Sequence, residues 1–136
     1  MKTILIDLNI IIDYLDKRPG HEKALEVIIQ CCLKKVKGYL CAHEITTLSY
    51  FLDKNVKDRN KHIKIISVLL KLFEIIEINK TILEKSLFSD LPDYEDAVIE
   101  MSAKEKSIDY IITRNIKDFK NSQIKSLLPE EYLAIK

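Results

Sequence analysis

Tryptophan is missing from the 136 residues, and glycine (2), proline (3) and cysteine (3) are scarce. That poverty in glycine and proline excludes collagen-like and low-complexity chains. With only Gly20 and Gly38, no glycine-rich loop can cradle a phosphate. Cys31, Cys32 and Cys41 are odd in number and form no Cys-x-x-Cys pair. They read as buried, reduced thiols of a cytoplasmic protein, not as a disulfide framework or a zinc site. His21, His43 and His62 have spacings that match no helix face and give no ligand set. No apolar run approaches the roughly 20 residues of a membrane span, and Met1-Lys2-Thr3 leads into a strand-like run, not a secretion signal. An excess of one charge is missing too: 22 Lys and Arg face 21 Asp and Glu, a net +1. Strong phosphate binders usually carry a basic surplus, so any nucleic-acid role must rest on a local patch or on a metal.

What remains is 47% hydrophobic and 32% charged, a balance that suits one domain over residues 1–136. A chain of this length buries roughly 68% of its unfolded surface and needs no staple to hold a core. Ile4-Leu5-Ile6 is a β-branched-rich run that ends at Asp7, and Ile10 to Leu15 continue as a short helix broken at Pro19-Gly20. A helix is expected over about His21–Val36, a strand at Tyr39–Ala42 and a helix over His43–Leu52. Asp53–Asn60 is the most polar stretch and reads as a loop. Then come an apolar helix (Lys61–Phe73), a strand (Glu74–Ile78), a helix (Thr81–Phe88) and a helix over Asp93–Lys106 with Asp93 as its cap after Pro92. Asp109–Thr113 is a fourth strand, Leu127-Leu128 a short edge strand, and Glu130–Ile135 a terminal helical turn. Strands alternating with helices predict an α/β fold, a three-layer α/β/α sandwich around a mostly parallel sheet of four to five strands.

Ligand sites of open parallel sheets lie at the carboxyl ends of the strands, and here that edge is acidic. The first strand ends at Asp7, the second runs into Glu44, the fourth into Thr113, Asn115 and Asp118, and the helix before it opens with Asp93, Glu95 and Asp96. Taken singly, each has a plain structural role: Asp7 a turn or cap, Asp93 a cap, Glu44 and Asp96 acids favoured by a helix dipole. Together they bring carboxylates from four segments to one mouth. Clustered carboxylates repel, and a hard dication such as Mg²⁺ or Mn²⁺ resolves the repulsion while giving a near-neutral protein a way to engage a phosphodiester.

Ile-Leu-Ile-Asp7-Leu-Asn9-Ile-Ile-Ile-Asp13, Asp96-Ala-Val-Ile-Glu-Met-Ser-Ala103 and Tyr-Ile-Ile-Thr113-Arg114-Asn115-Ile-Lys-Asp118-Phe119 together resemble the PIN domain family, especially its small VapC-like ribonuclease toxins. The resemblance covers nearly the whole chain, and the Thr-Arg-Asn-x-x-Asp-Phe segment is its most specific part. It implies a metal-dependent endoribonuclease using Mg²⁺ or Mn²⁺. Asp7 matches the family's first acid, held by Asn9; Asp96 matches the third, and Asp118 the variable fourth, with Thr113 and Asn115 supporting by hydrogen bonds. The pattern's second acid falls at Thr47 when Leu48–Leu52 are aligned with the family's Leu-aromatic stretch. Glu44, one helical turn earlier, is the candidate replacement; otherwise it is a helix-start acid and the site has three acids. The resemblance also implies an RNA substrate and a small antitoxin partner; the short apolar runs give the expectation of no membrane association. Two other functions compete: a non-catalytic PIN-like module that binds RNA or protein, for which Thr47 speaks, and an aspartyl-phosphate phosphatase, against which Asn9 stands where a second acid is usual.

Three further features carry expectations. Asp93, Asp96 and Glu100 share one face of their helix, either solvated or an extended metal pocket. Lys34, Lys35 and Lys37, and Lys54, Lys57, Arg59, Lys61 and Lys64, form two basic clusters, either solvated or set to hold an RNA backbone. The Ile63–Phe73 helix is apolar nearly all round, which is either deeper burial or a surface for a partner such as a second copy in a homodimer.

Overall fold

The computed structural model describes residues 1–135. Five strands form one sheet: β1 (Thr3–Ile6), β2 (Lys37–Cys41), β3 (Glu74–Ile76), β4 (Tyr110–Ile112) and β5 (Ser126–Leu127). They lie in the order β3-β2-β1-β4-β5, every neighbouring pair parallel. Between them run the helices α1 (Leu8–Leu15), α2 (His21–Cys32), α3 (Ala42–Asn55), α4 (Arg59–Leu72), α5 (Lys80–Ser86) and α6 (Tyr94–Glu105), with α7 (Pro129–Leu133) after β5 and a 3₁₀ turn at Ile116–Phe119. The three-layer parallel α/β sandwich expected from the alternation is the fold observed.

β1 is central, which is why its residues are apolar on both faces. Ile4 and Ile6 join a core with α1, α2, α3 and α4 through Ile10, Ile11, Ala24, Val27, Leu48, Leu52 and Leu69. Leu5 points the other way, into a core with Cys41, Ile76, Ile111 and the α6 residues Ala97, Ile99 and Ala103. The chain builds β1, β2 and β3 outward in one direction and then returns to place β4 on the other side of β1. This reversal opens a crevice between the carboxyl ends of β1 and β4.

Two expectations need correction. Asp53–Asn60 is not a loop: α3 continues to Asn55 and α4 starts at Arg59, leaving only residues 56–58 between them. Both ends are polar because they face solvent, and His62 ties the helices together, with Nε2 3.1 Å from the Ser49 carbonyl and Nδ1 3.3 Å from Asp53 Oδ1. Cys32 is exposed, so only Cys31 and Cys41 are buried thiols; burial pushes the Cys31 thiol up to about 12 and raises that of Cys41 as well. α4 is less buried than its composition suggests, with Ile63, Val68 and Leu70 half exposed. No helix among the described residues is long and apolar enough to cross a membrane.

Gly38 is fixed by packing. A Cβ there would come within 2.6 Å of Cys31 Sγ and 2.8 Å of the Phe73 ring. Gly38→Ala is expected to cost about 1–3 kcal/mol through overpacking, read as a lowered midpoint in urea unfolding.

Candidate active site

Asp7 follows β1 at the cap position of α1, yet its carboxylate makes no capping hydrogen bond. It turns instead to the crevice, where its Oδ2 accepts the Thr113 hydroxyl (2.8 Å) and the Asn9 side-chain amide (3.1 Å). The Thr113 hydroxyl accepts the Asn115 backbone N–H at 3.0 Å. The Asn9 carbonyl oxygen accepts the Arg114 N–H at 3.3 Å, lacing α1 to the segment after β4. Thr113 is fully buried, so this hydroxyl is a fixed donor. Burial is the main cause that raises the Asp7 carboxyl above its ordinary pKa of 3.8, and the Thr113 hydrogen bond opposes it.

Glu44 enters from the other flank. It lies on the first turn of α3 and is fully buried. Its Oε1 accepts the Cys41 backbone N–H at 2.8 Å as part of a capping box. Its Oε2 is buried with no partner. Burial first, then the charge of Asp7, holds this carboxyl well above the usual range. Thr47 lies on the exposed side of α3, its hydroxyl donating to the His43 carbonyl at 3.1 Å. The helix therefore turns Glu44, not Thr47, toward Asp7.

α6 supplies the third flank. Asp93 caps it, accepting the Asp96 N–H at 3.0 Å, and Asp96 is half-buried on its first turn. Asp96 is pushed up to about 7, by burial first and then by Asp7, Asp93, Asp118 and Glu95. Asp118 stands exposed on the 3₁₀ turn and reaches the site through that charge. The charge of Asp7 thus bears on both Glu44 and Asp96, and that of Asp118 bears on Asp96 from the rim. Asn9 and Thr113 hold Asp7 by side-chain bonds, and Asn115 acts through its backbone N–H.

Three residues near the site have no role of their own assigned from the sequence, although Glu95 was counted at the acidic edge and Asp13 in the first motif. The charge of Glu95 bears on Asp7, Glu44, Asp96 and His43; its place beside Asp96 in the first turn of α6 was the available signal. His43 lies on the first turn of α3, and both its ring nitrogens are buried without a partner among the described residues. Asp13 is a buried acid on α1 paired with Arg114. That pair anchors the segment carrying Thr113 and Asn115.

Glu100 belongs to neither the solvated face nor the metal pocket expected of it. It is buried, accepting the Ser89 hydroxyl (2.6 Å) on one oxygen and the Gln123 N–H (2.7 Å) on the other. Glu100→Ala leaves both donors bare and is expected to cost about 2–4 kcal/mol, seen as a drop in melting temperature with the carboxylate mouth unaltered. Lys34, Lys35 and Lys37 precede or open β2 and so lie at the amino edge of the sheet, opposite the crevice. The second basic cluster flanks the α3–α4 junction, about 20 Å of helix from the start of α3. Neither cluster borders the carboxylates. Arg114 and Lys117 line, with Asn115 and Asp118, a cleft of about 380 Å³ that reaches Asp118 but not Asp7, Glu44 or Asp96.

Among the described residues, no three His, Cys, Asp or Glu side chains are drawn together tightly enough to cage an ion by themselves. The donors nevertheless suit a hard dication. They are carboxylate oxygens, one of them orphaned, and Mg²⁺ is held by one or two carboxylates plus waters and substrate phosphate rather than by an all-protein cage.

A family profile described as PIN domain matches residues 3–117. Among solved structures, the chain resembles VapBC2 from Rickettsia felis bound to a DNA fragment from its promoter (TM-score 0.69, 17% identity, 93% of this chain and 98% of that one). It is similar to a toxin-antitoxin complex from Klebsiella pneumoniae (0.67, 23%, 93% and 97%) and to FitAcB from Neisseria gonorrhoeae (0.69, 21%, 93% and 98%). A search of curated proteins found no significant match.

Proposed function

Because the chain belongs to the PIN domain family, whose members are generally nucleases, we propose that it is a Mg²⁺- or Mn²⁺-dependent endoribonuclease and the toxin of a toxin–antitoxin pair. The observation that carries this reading is that Asp7, held by Thr113 and Asn9 at the crevice, bears by its charge on Glu44 and on Asp96, which come from two other segments. Similarity to the toxin–antitoxin assemblies supports the biological half.

Asp7 and Asp96, with Asp118 at the rim and Glu44 beneath, would hold the dication. When bound it would lower the pKa of a water, orient that water in line with a phosphodiester and neutralise charge on the departing oxygen. The chain's residues do the rest. Thr113 and Asn9 fix the Asp7 carboxylate, so no reorganisation is needed at the moment of reaction. Glu44, fully buried, excludes water from the floor of the crevice. Arg114 and Lys117 flank the cleft that receives the anionic backbone. Attack of water at phosphorus forms one P–O bond as the P–O3′ bond breaks, leaving 5′-phosphate and 3′-hydroxyl ends.

A groove of about 400 Å³ between α1, α2 and α4, lined by Tyr14, Leu15, Ile29, Ile65 and Val68, offers an apolar seat for an antitoxin segment. The exposed Ile63 and Leu70 of α4 are available to a second copy in a homodimer. A second reading, a non-catalytic RNA- or protein-binding module in the cytoplasm, draws on Thr47 where the family pattern has an acid.

Incubating a panel of structured RNAs with Mn²⁺ or with EDTA separates the two. The nuclease cuts one or more of them with Mn²⁺ and none with EDTA. Binding without cleavage in either condition, or cleavage that survives EDTA, refutes it.

A further inference from the structure

The proposed reaction leaves one buried acid without a task. Asp13 is 3% exposed on α1, and an acid is seldom buried unless it is paired. Its pair is Arg114, whose Nη1 donates to Asp13 Oδ1. The other cation near Asp13 is engaged elsewhere, since Arg18 Nε donates to Asp16 Oδ2 at 2.9 Å. The two partners differ in exposure. The Asp13 side chain is buried, whereas that of Arg114 stays 40% exposed and lines the cleft shared with Lys117 and Asp118. A guanidinium carries five N–H donors in a rigid fork. Among the described residues, Nη1 is the one nitrogen of this fork bonded to the protein; the remaining edge is left for solvent or a ligand. Hydrogen bonds place the pair beside the reacting end. Thr113, the preceding residue, donates to Asp7 Oδ2 at 2.8 Å, and the Arg114 N–H donates to Asn9 Oδ1 at 3.3 Å. Asp13 lies about 9 Å along α1 from Asp7, so the guanidinium stands to one side of the acid that would hold the ion.

Resting on the nuclease reading, we propose that Arg114 clamps an RNA backbone phosphate next to the one that is cut, and that Asp13 is its positioning residue, holding the fork with its open edge at the cleft. The planar fork matches two phosphate oxygens at once. An arginine has much rotamer freedom to lose on binding, and a tether formed beforehand lessens that loss. An exposed acid in this place would repel the backbone. Buried beneath the guanidinium, Asp13 fixes the cation and keeps its own charge away from the phosphate. Lys117 adds a second positive charge to the cleft, and Asp118 one opposing charge.

Single-turnover cleavage of the best-cut RNA of the panel, run in Mn²⁺ over a range of protein and KCl concentrations, tests the pair. Arg114→Gln is expected to raise the half-saturating protein concentration about 10-fold at low salt, with the saturating rate little changed. It should also flatten the slope of log affinity against log salt by about 0.7, the share of one single-strand phosphate contact. Asp13→Ala should weaken binding about 3–10-fold. Asp13→Asn, which keeps an acceptor for the guanidinium, should recover most of that loss. Both variants remove the same charge, so a bystander acid would give tighter RNA binding in both. Added to Arg114→Gln, Asp13→Ala should cost nothing more, because Asp13 acts only through Arg114. That double variant leaves no buried acid unpaired and stands in if Arg114→Gln alone does not fold. Unchanged half-saturation and salt slope without Arg114 overturn the proposal, as does tighter binding by Asp13→Ala. A fall in saturating rate alone also overturns it, since that marks a pair that only anchors Thr113 and Asn115. If wild type cuts with Mn²⁺ and Arg114→Gln cuts identically, the nuclease reading stands and this inference alone falls. If wild type cuts no RNA, both fall.

Discussion

Asp7→Asn lowers Mn²⁺-dependent RNA cleavage by on the order of 10³-fold or more, with the fold retained. The side chain keeps its shape, and its carbonyl oxygen can still accept the Thr113 hydroxyl that Asp7 Oδ2 accepts at 2.8 Å. What it loses is the charge. An uncharged amide at the carboxyl end of β1 cannot anchor a hard dication, so the loss should appear in kcat and not as unfolding. Asn9→Ala is the graded companion. It removes only the amide that steadies Asp7 and the acceptor for the Arg114 N–H, and a loss of about 10–100-fold is expected. Gel assays of single-turnover cleavage measure both. An Asp7→Asn variant that cuts as fast as wild type would remove Asp7 from the chemistry.

The second large effect is on stability, and it runs against intuition: removing a site acid makes the metal-free protein more stable. The Asp96 carboxyl is raised from 3.8 to about 7, by burial and then by Asp7, Asp93, Asp118 and Glu95. A group whose pKa is higher in the folded state binds its proton more tightly there. Its contribution to stability is therefore complete below about pH 4 and is lost as pH rises to about 7. A rise of this size corresponds to about 4 kcal/mol at most, and solvent at the half-open mouth screens it to about 1–2 kcal/mol. In EDTA at pH 8, Asp96→Asn should melt roughly 3–8 °C above wild type. At pH 4 the gap should nearly close, because Asp96 is then protonated in the folded chain and close to half protonated in the unfolded one. Mn²⁺ at pH 8 should reverse the order by stabilising wild type alone, by about 2.7 kcal/mol at a hundred times its Kd. Melting curves across pH 4–8 with and without Mn²⁺ read all three. A gap that stays constant with pH would assign the Asp96 effect to packing and not to charge.

Most of these acids could be read from the sequence. Asp7 was legible because a uniformly apolar central strand, Ile4-Leu5-Ile6, ends on a charge at the edge where parallel sheets bind ligands. Asp93 was legible as a cap because Pro92 precedes it and a helical run follows. The choice between Thr47 and Glu44 was not, since helical periodicity places residues on faces without saying which face meets Asp7; only the docking of α3 on β2 decides that. Glu100 escaped for a different reason. Its partners are Ser89 and the Gln123 N–H, the latter far along the chain, and no local pattern announces a contact of that range. The polar run Asp53–Asn60 imitates a loop, yet helices claim five of its eight residues, tied by the His62 contacts with Ser49 and Asp53. The basic clusters looked ready for RNA only because sequence proximity hides which end of the sheet a residue occupies.

The central claim is that segments far apart in sequence gather their carboxylates around one hard dication. The most direct measurement is the anomalous difference density of crystals soaked in Mn²⁺. The expected result is a peak in the crevice between β1 and β4, with carboxylate oxygens of Asp7 and Asp96 both among the atoms that coordinate it. A peak elsewhere on the molecule, with the Asp7 and Asp96 carboxylates bound to no ion, would contradict it.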